Sequence, residues 1–128
     1  MFGDNFNDKV EVYGSGGICD SKEHFIEELD YLKSLGIKKY KIRSTEKDIL
    51  RTAWILQEAN KYKIEIGIDM CQNLTDPPLS AQEVISFIND VRKISSENIL
   101  FLEEAVGPTD IKGFKKLKEN FDIKICGG

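Results

Sequence analysis

Residues Ile64–Asn73 read IEIGIDMCQN. The first six alternate as a β-strand does, with Ile64, Ile66 and Ile68 on one face and Glu65, Gly67 and Asp69 on the other. The aliphatic face is predicted to pack on helices. The other face carries a carboxylate to the last position before a loop, which is where parallel α/β proteins hold ligands and metals. The rest of the chain can be arranged around Asp69.

Working upstream, Lys39–Arg43 (KYKIR) is predicted to be a strand with Tyr40 and Ile42 on one face and Lys39, Lys41 and Arg43 on the other. Between Thr45 and about Asn60 a helix is expected, opened by a Thr45/Asp48 capping box and burying Ile49, Leu50, Ala53 and Trp54. An earlier helix is capped by Ser21, carries Phe25, Ile26, Leu29 and Leu32 at helical spacing, and ends at Gly36. Lys9–Tyr13 (KVEVY) reads as the first strand. Gly14–Gly17 (GSGG) after it reads as a flexible turn, since it lacks the Lys-Ser/Thr ending of a phosphate-binding loop.

Downstream, Asp76-Pro77-Pro78 is a rigid loop that can continue neither strand nor helix. Ser80 with Glu83 is a cleaner capping box, opening a helix with Val84, Phe87, Ile88 and Val91 on its apolar stripe. Ile99–Glu103 (ILFLE) is a fourth strand, with Leu100 and Leu102 toward the helices and Phe101 and Glu103 opposite. Pro108 and Thr109 precede a short helix with Ile111, Phe114 and Leu117, and Asp122–Cys126 (DIKIC) is a fifth strand.

This β-α alternation implies a parallel sheet with right-handed crossovers. Periodicity allows two architectures, an open doubly wound sheet or the first part of a (β/α)-barrel. The charges favour the barrel. Central strands of an open sheet are apolar on both faces, whereas here Lys41 and Arg43, then Asp69, then Glu103 with Glu104 sit at successive strand ends. The predicted fold class is therefore α/β, a partial (β/α) TIM-like barrel of about five parallel strands in sequential order with four helices. Residues 1–128 are read as a single incomplete barrel domain.

Composition narrows the function. A net charge of -4 with no basic cluster disfavours nucleic acid as a partner. No apolar run approaches the roughly 20 residues that span a bilayer, so no membrane role is expected. The opening MFGDNFNDK has no charged-then-apolar leader pattern, and Cys19, Cys71 and Cys126 lack CxxC spacing, so a reducing cytoplasm is the expected compartment. Cys71 and Cys126 are read as buried or half-buried thiols rather than a thiol–metal site. His24 is read as a surface residue, Trp54 as core, and Glu104 as facing outward to pair with a helix residue.

From about Val10 to Gly128 the chain resembles the mandelate racemase and muconate-lactonising branch of the enolase superfamily. The resemblance lies in KYKIRS, IGIDMCQN, LFLEEAVGP and IKICGG, which stand in the order of the family's Lys-x-Lys, Asp-x-Asn, Glu-Glu-Pro and Gly-Glu strand ends. It implies that Asp69 and Glu103 are two of three Mg2+ ligands, hard oxygens of the kind that ion requires. It implies that Lys41, with Arg43 two residues on, lies by the carboxylate of a small carboxylic-acid substrate. The implied reaction removes a proton next to that carboxylate, with Mg2+ stabilising the charge that forms.

The departures from the family carry as much information. Arg43 stands at the second lysine position; always protonated, it is a poor base and a good carboxylate clamp. Cys71 replaces Asn and Ala105 replaces Pro. The third ligand is expected one residue beyond Gly128. By comparison with the family, the 128 residues correspond to a middle piece of a longer protein, without the later strands, the partner base or the capping domain. Arg43 tilts the expectation from racemisation toward dehydration of an acid sugar. Two other outcomes stay open: a racemase, epimerase or cycloisomerase of the same superfamily, or a non-catalytic half-barrel that self-associates or binds a partner.

Overall fold

The computed structural model describes residues 10–19 and 21–127. Nine regular elements alternate along it: β1 (Gly14–Gly16), α1 (Lys22–Ser34), β2 (Lys39–Arg43), α2 (Ile49–Lys61), β3 (Glu65–Asp69), α3 (Ala81–Ile94), β4 (Ile99–Glu103), α4 (Ile111–Asn120) and β5 (Lys124–Cys126). A 3-10 turn at Gln72–Leu74 lies between β3 and α3. The strands form one sheet in the order β1-β2-β3-β4-β5, and every neighbouring pair is parallel. That order never reverses, so the sheet has no switch point of the doubly wound kind. Sequential parallel strands with a helix after each of the first four are the run of a (β/α)-barrel, and the α/β partial-barrel expectation holds.

The alternation of β2 and β3 does what the sequence predicts. Tyr40, Ile42, Ile66 and Ile68 are buried with Phe25 and Leu29 of α1, Ala53 and Ile55 of α2 and Val84 and Ile88 of α3 in one core between helices and sheet. Local signals set the helix ends. Ser21 Oγ accepts the His24 N–H at 3.1 Å, Gly36 takes a left-handed φ of 72° after α1, and Ser80 and Glu83 form a complete capping box. Replacing Ser80 with Ala is expected to cost about 1 kcal/mol, read as a lowered urea midpoint with unchanged slope.

Several expectations are corrected. The first strand is Gly14–Gly16, inside the stretch read as a turn, and Val10–Tyr13 is exposed and outside the sheet (Lys9 lies outside the described residues). The reason is steric: a Cβ on Gly14 or Gly16 would press on the Tyr40 ring, so only glycine lets this backbone lie along β2. Asp48, not Thr45, stands at the N-cap position of α2, and its side chain makes no cap bond to the helix; the Thr45 N–H and hydroxyl instead both bond to the Asp48 carboxylate at 3.0 Å. Leu50 and Ile111, in the first turns of α2 and α4, are exposed, while Ile55, Leu56 and Ala59 complete the buried face of α2. Trp54 is half-buried, edge-on to Phe25 with the Lys22 ammonium over its ring.

On β4 it is Ile99, not Leu100, that pairs with Ile66 and is buried. Ile66 and Ile68 are two residues apart, but their partners Ile99 and Leu102 are three apart, so β4 carries one extra residue opposite Gly67.

Tyr40 adds a pH dependence to this core. Burial, and then its hydrogen bond to Glu28 at 2.5 Å, push its phenol above the ordinary tyrosine value. A raised folded pKa means stability that is intact below the unfolded value of about 10 and lost as pH rises toward the folded one. Tyr40→Phe is expected to flatten the fall in stability above about pH 10 relative to the native chain, measured by urea unfolding across alkaline pH.

Candidate active site

Parallel register brings the predicted site residues into one row. Arg43 pairs with Asp69, Asp69 with Glu103, and Glu103 with Cys126, so four adjacent strands present these side chains at one level of the C-terminal rim. Lys41 lies two pairs lower, beside Gly67, on the face away from the helices. Its ammonium extends up to the row. Lys41 Nζ is 3.3 Å from Asp69 Oδ2, 3.1 Å from Glu103 Oε1 and 3.1 Å from Glu103 Oε2. Asp69 is buried and the side chains of Lys41 and Glu103 are 15% and 22% exposed, so water screens the cluster only in part. Burial works against the Lys41 charge, but the hydrogen bonds and charges of Glu103 and Asp69 outweigh it, and its pKa is raised.

Neighbouring loops fix the two acids. Asp69 Oδ1 accepts the Cys71 N–H at 2.9 Å and the Cys71 thiol at 3.3 Å, which turns Oδ2 toward Lys41. Cys71 holds this position with a left-handed φ of 51°. The Met70 N–H donates to the Glu103 carbonyl, tying the end of β3 to the end of β4. Below the charges lies an aromatic floor: the Phe101 ring covers Gly67, where any Cβ would overlap it, and Tyr13 stands edge-on to Phe101 at 5.6 Å.

Gln72 is a residue the sequence reading passed over. Buried, it donates to the Met70 carbonyl and accepts from the Leu79 N–H at 2.7 Å and the Thr75 hydroxyl at 2.8 Å, stapling the loop that follows Asp69. No composition signal marks it, because its role depends on a loop path that only the fold defines.

Arg43 is exposed and stands apart from the ion cluster; among the described residues no ion pair joins it to Asp69 or Glu103. It is close enough to Cys71 to favour the thiolate, yet burial and Asp69 raise that thiol's pKa on balance. The Cys126 thiol is also raised, first by burial and then by Glu103, and it is exposed rather than buried as expected. Neither thiol has the lowered pKa of a nucleophile. Glu104, at φ 46°, turns away from the row to accept from Asn73 of the 3-10 turn at 2.8 Å. His24 is on the surface.

The donors suit a hard cation in kind. Two carboxylates converge on one point, and a cation, the Lys41 ammonium, sits at it. In number they are short, for no group of three or more His, Cys, Asp or Glu is placed to hold a metal among the described residues. Nor, among those residues, is any helix long and apolar enough to cross a membrane.

Solved structures share this arrangement of strands. A 3,6-anhydro-D-galactonate cycloisomerase from Zobellia galactanivorans is 26% identical, with a TM-score of 0.69 over 93% of this chain and 32% of that one. A member of the enolase superfamily from Agrobacterium tumefaciens matches at 20% identity and a TM-score of 0.69, over 91% and 28%. A racemase from Streptomyces coelicolor A3(2) with bound magnesium matches at 15% identity and a TM-score of 0.74, over 93% and 32%. The chain has the fold of part of an enolase-superfamily barrel. The family resemblance read from the four strand-end motifs is thus matched by the architecture. This enolase-type barrel segment spans about a third of the length of the structures it matches. No protein-family model and no curated protein matches it.

Proposed function

We propose that the chain is part of a Mg2+-dependent enzyme that removes a proton next to the carboxylate of an acid sugar, as an enolase-type dehydratase does. The observation that carries this reading is the convergence of Asp69 and Glu103 on one cation position at the strand-end rim. Asp69 and Glu103 would hold the ion, with further ligands from outside these residues. When bound, the ion supplies Lewis-acid stabilisation of the charge that grows on the substrate carboxylate.

The chain's own groups divide the remaining work. Arg43, next in the row and without an ion-pair partner among the described residues, holds the substrate carboxylate through its planar fork. Arg43, always protonated, cannot serve as base, and we place the base in another part of the whole protein. The Zobellia relative, named for a sugar acid, supports that substrate class; the magnesium in the Streptomyces racemase supports the metal. Three cysteines without CxxC spacing accord with a reducing cytoplasm.

Calorimetric titration with Mg2+ tests the reading. Binding is expected for the native chain and its loss in Asp69→Asn or Glu103→Gln. Native-like affinity in both variants would remove the site.

A second reading rests on the two sheet edges. Among the described residues, β1 and β5 each have one side unpaired, and such edges invite strand addition. Self-association through them would give a concentration-dependent mass by light scattering, and a monomer at all concentrations would dismiss it.

A further inference from the structure

We infer that the Lys41 ammonium is a built-in competitor of the divalent ion: it occupies the cation position between Asp69 and Glu103, and an incoming ion must displace it. This rests on the metal reading of the two acids and adds a competing cation to it.

The argument is one of available oxygens. Asp69 Oδ1 is already committed to the Cys71 N–H and thiol. Oδ2 is the oxygen left to meet a cation, and Lys41 Nζ holds it at 3.3 Å. Both oxygens of Glu103 lie 3.1 Å from the same nitrogen. An ion bound at roughly 2.1 Å to one oxygen of each acid would lie in the volume the ammonium fills, and two cations so close repel strongly in a partly dry site.

The fold makes the competition structural rather than incidental. Lys41 rises from a central strand, its backbone fixed by pairing to Gly67, and its side chain is mostly shielded. In the metal-free chain its charge is compensated twice over, so it has little left for a substrate anion. Ion binding frees it. Ion loading therefore adds Lys41 to Arg43 as a contact for the carboxylate, Arg43 being available to the anion in both states.

Mg2+ alone is the probe. Calorimetry compares the native chain with Lys41→Met, Lys41→Arg and the double variant Lys41→Met/Asp69→Asn. Lys41→Met is expected to bind Mg2+ at least roughly tenfold more tightly than the native chain. Lys41→Arg should show no such gain, and the double variant should lose it. Equal or weaker binding by Lys41→Met, with the native chain still binding, overturns the competition and leaves the metal site standing. Absence of binding in every variant overturns both.

Lysine acylation followed by mass spectrometry reads the same event in the native chain, independently of how the variants fold. Lys41 labelling is expected to rise several-fold at saturating Mg2+ while the exposed Lys115 stays constant. Labelling of Lys41 unchanged by Mg2+ overturns the displacement.

Discussion

Lys41→Met is expected to destabilise the metal-free chain by about 2–4 kcal/mol, somewhat less than the roughly 3–5 kcal/mol lost when one partner of a fully buried ion pair is removed, because this cluster is partly exposed. The substitution keeps most of the stem and deletes the charge. Asp69, buried, and Glu103, 22% exposed, then face each other across one strand spacing with no cation between them. Each loses a charge-assisted partner, and their mutual repulsion is only partly screened. The accompanying test is rescue. Adding Asp69→Asn and Glu103→Gln removes both charges while leaving an amide oxygen to accept from the Cys71 N–H, and should restore more than half of the loss. Urea unfolding measures both. A loss below about 0.5 kcal/mol, the ordinary effect of a surface change, would mean that the cluster is solvated and the acids do not converge.

Leu102→Ala should cost as much or more, about 3–5 kcal/mol, because the side chain is wholly buried and the neighbouring strands hold the cavity open. Leu102 pairs with Ile68 on one side and Ile125 on the other, directly after the extra residue in β4. It is the first position at which β4 regains its register with β3, one residue before Glu103. Loss of the anchor should therefore also disturb the row at the rim, so Mg2+ affinity should fall along with stability. The exposed Leu50 is the control, and its alanine variant should melt like the native chain.

Much of this arrangement was legible in the sequence, for identifiable reasons. Alternation in KYKIR and IEIGID fixed which side chains point away from the helices, and the polar run along successive strand ends separated a barrel segment from a doubly wound sheet. Asp69 and Glu103 fall in register because both strands end on an acid and the sheet is parallel. What escaped depends on partners rather than on pattern. Glycines in GSG signal a turn by composition, yet they make a strand because Tyr40 leaves no room for a Cβ. The extra residue in β4 has no signature of its own; it is absorbed where Gly67 gives space to Phe101. Leu50 and Ile111 fit helical periodicity but fall in first turns at the rim, which the core does not reach.

The placing of Lys41 was the least legible feature. The resemblance implies a place by a substrate carboxylate; nothing in the alternation of KYKIR shows that the ammonium also reaches Asp69 and Glu103. An ammonium on a long flexible stem follows the strongest nearby field, and spacing in the sequence does not say which field that is.

The central claim is that residues 69 and 103 together define one cation position. Crystals of the chain soaked in Mn2+, with anomalous diffraction recorded at the manganese edge, test it most directly. The expected result is a peak bonded to one oxygen of Asp69 and one of Glu103, with Lys41 swung away. A peak elsewhere, or none while the Lys41 ammonium stays between the two acids at saturating Mn2+, would contradict it.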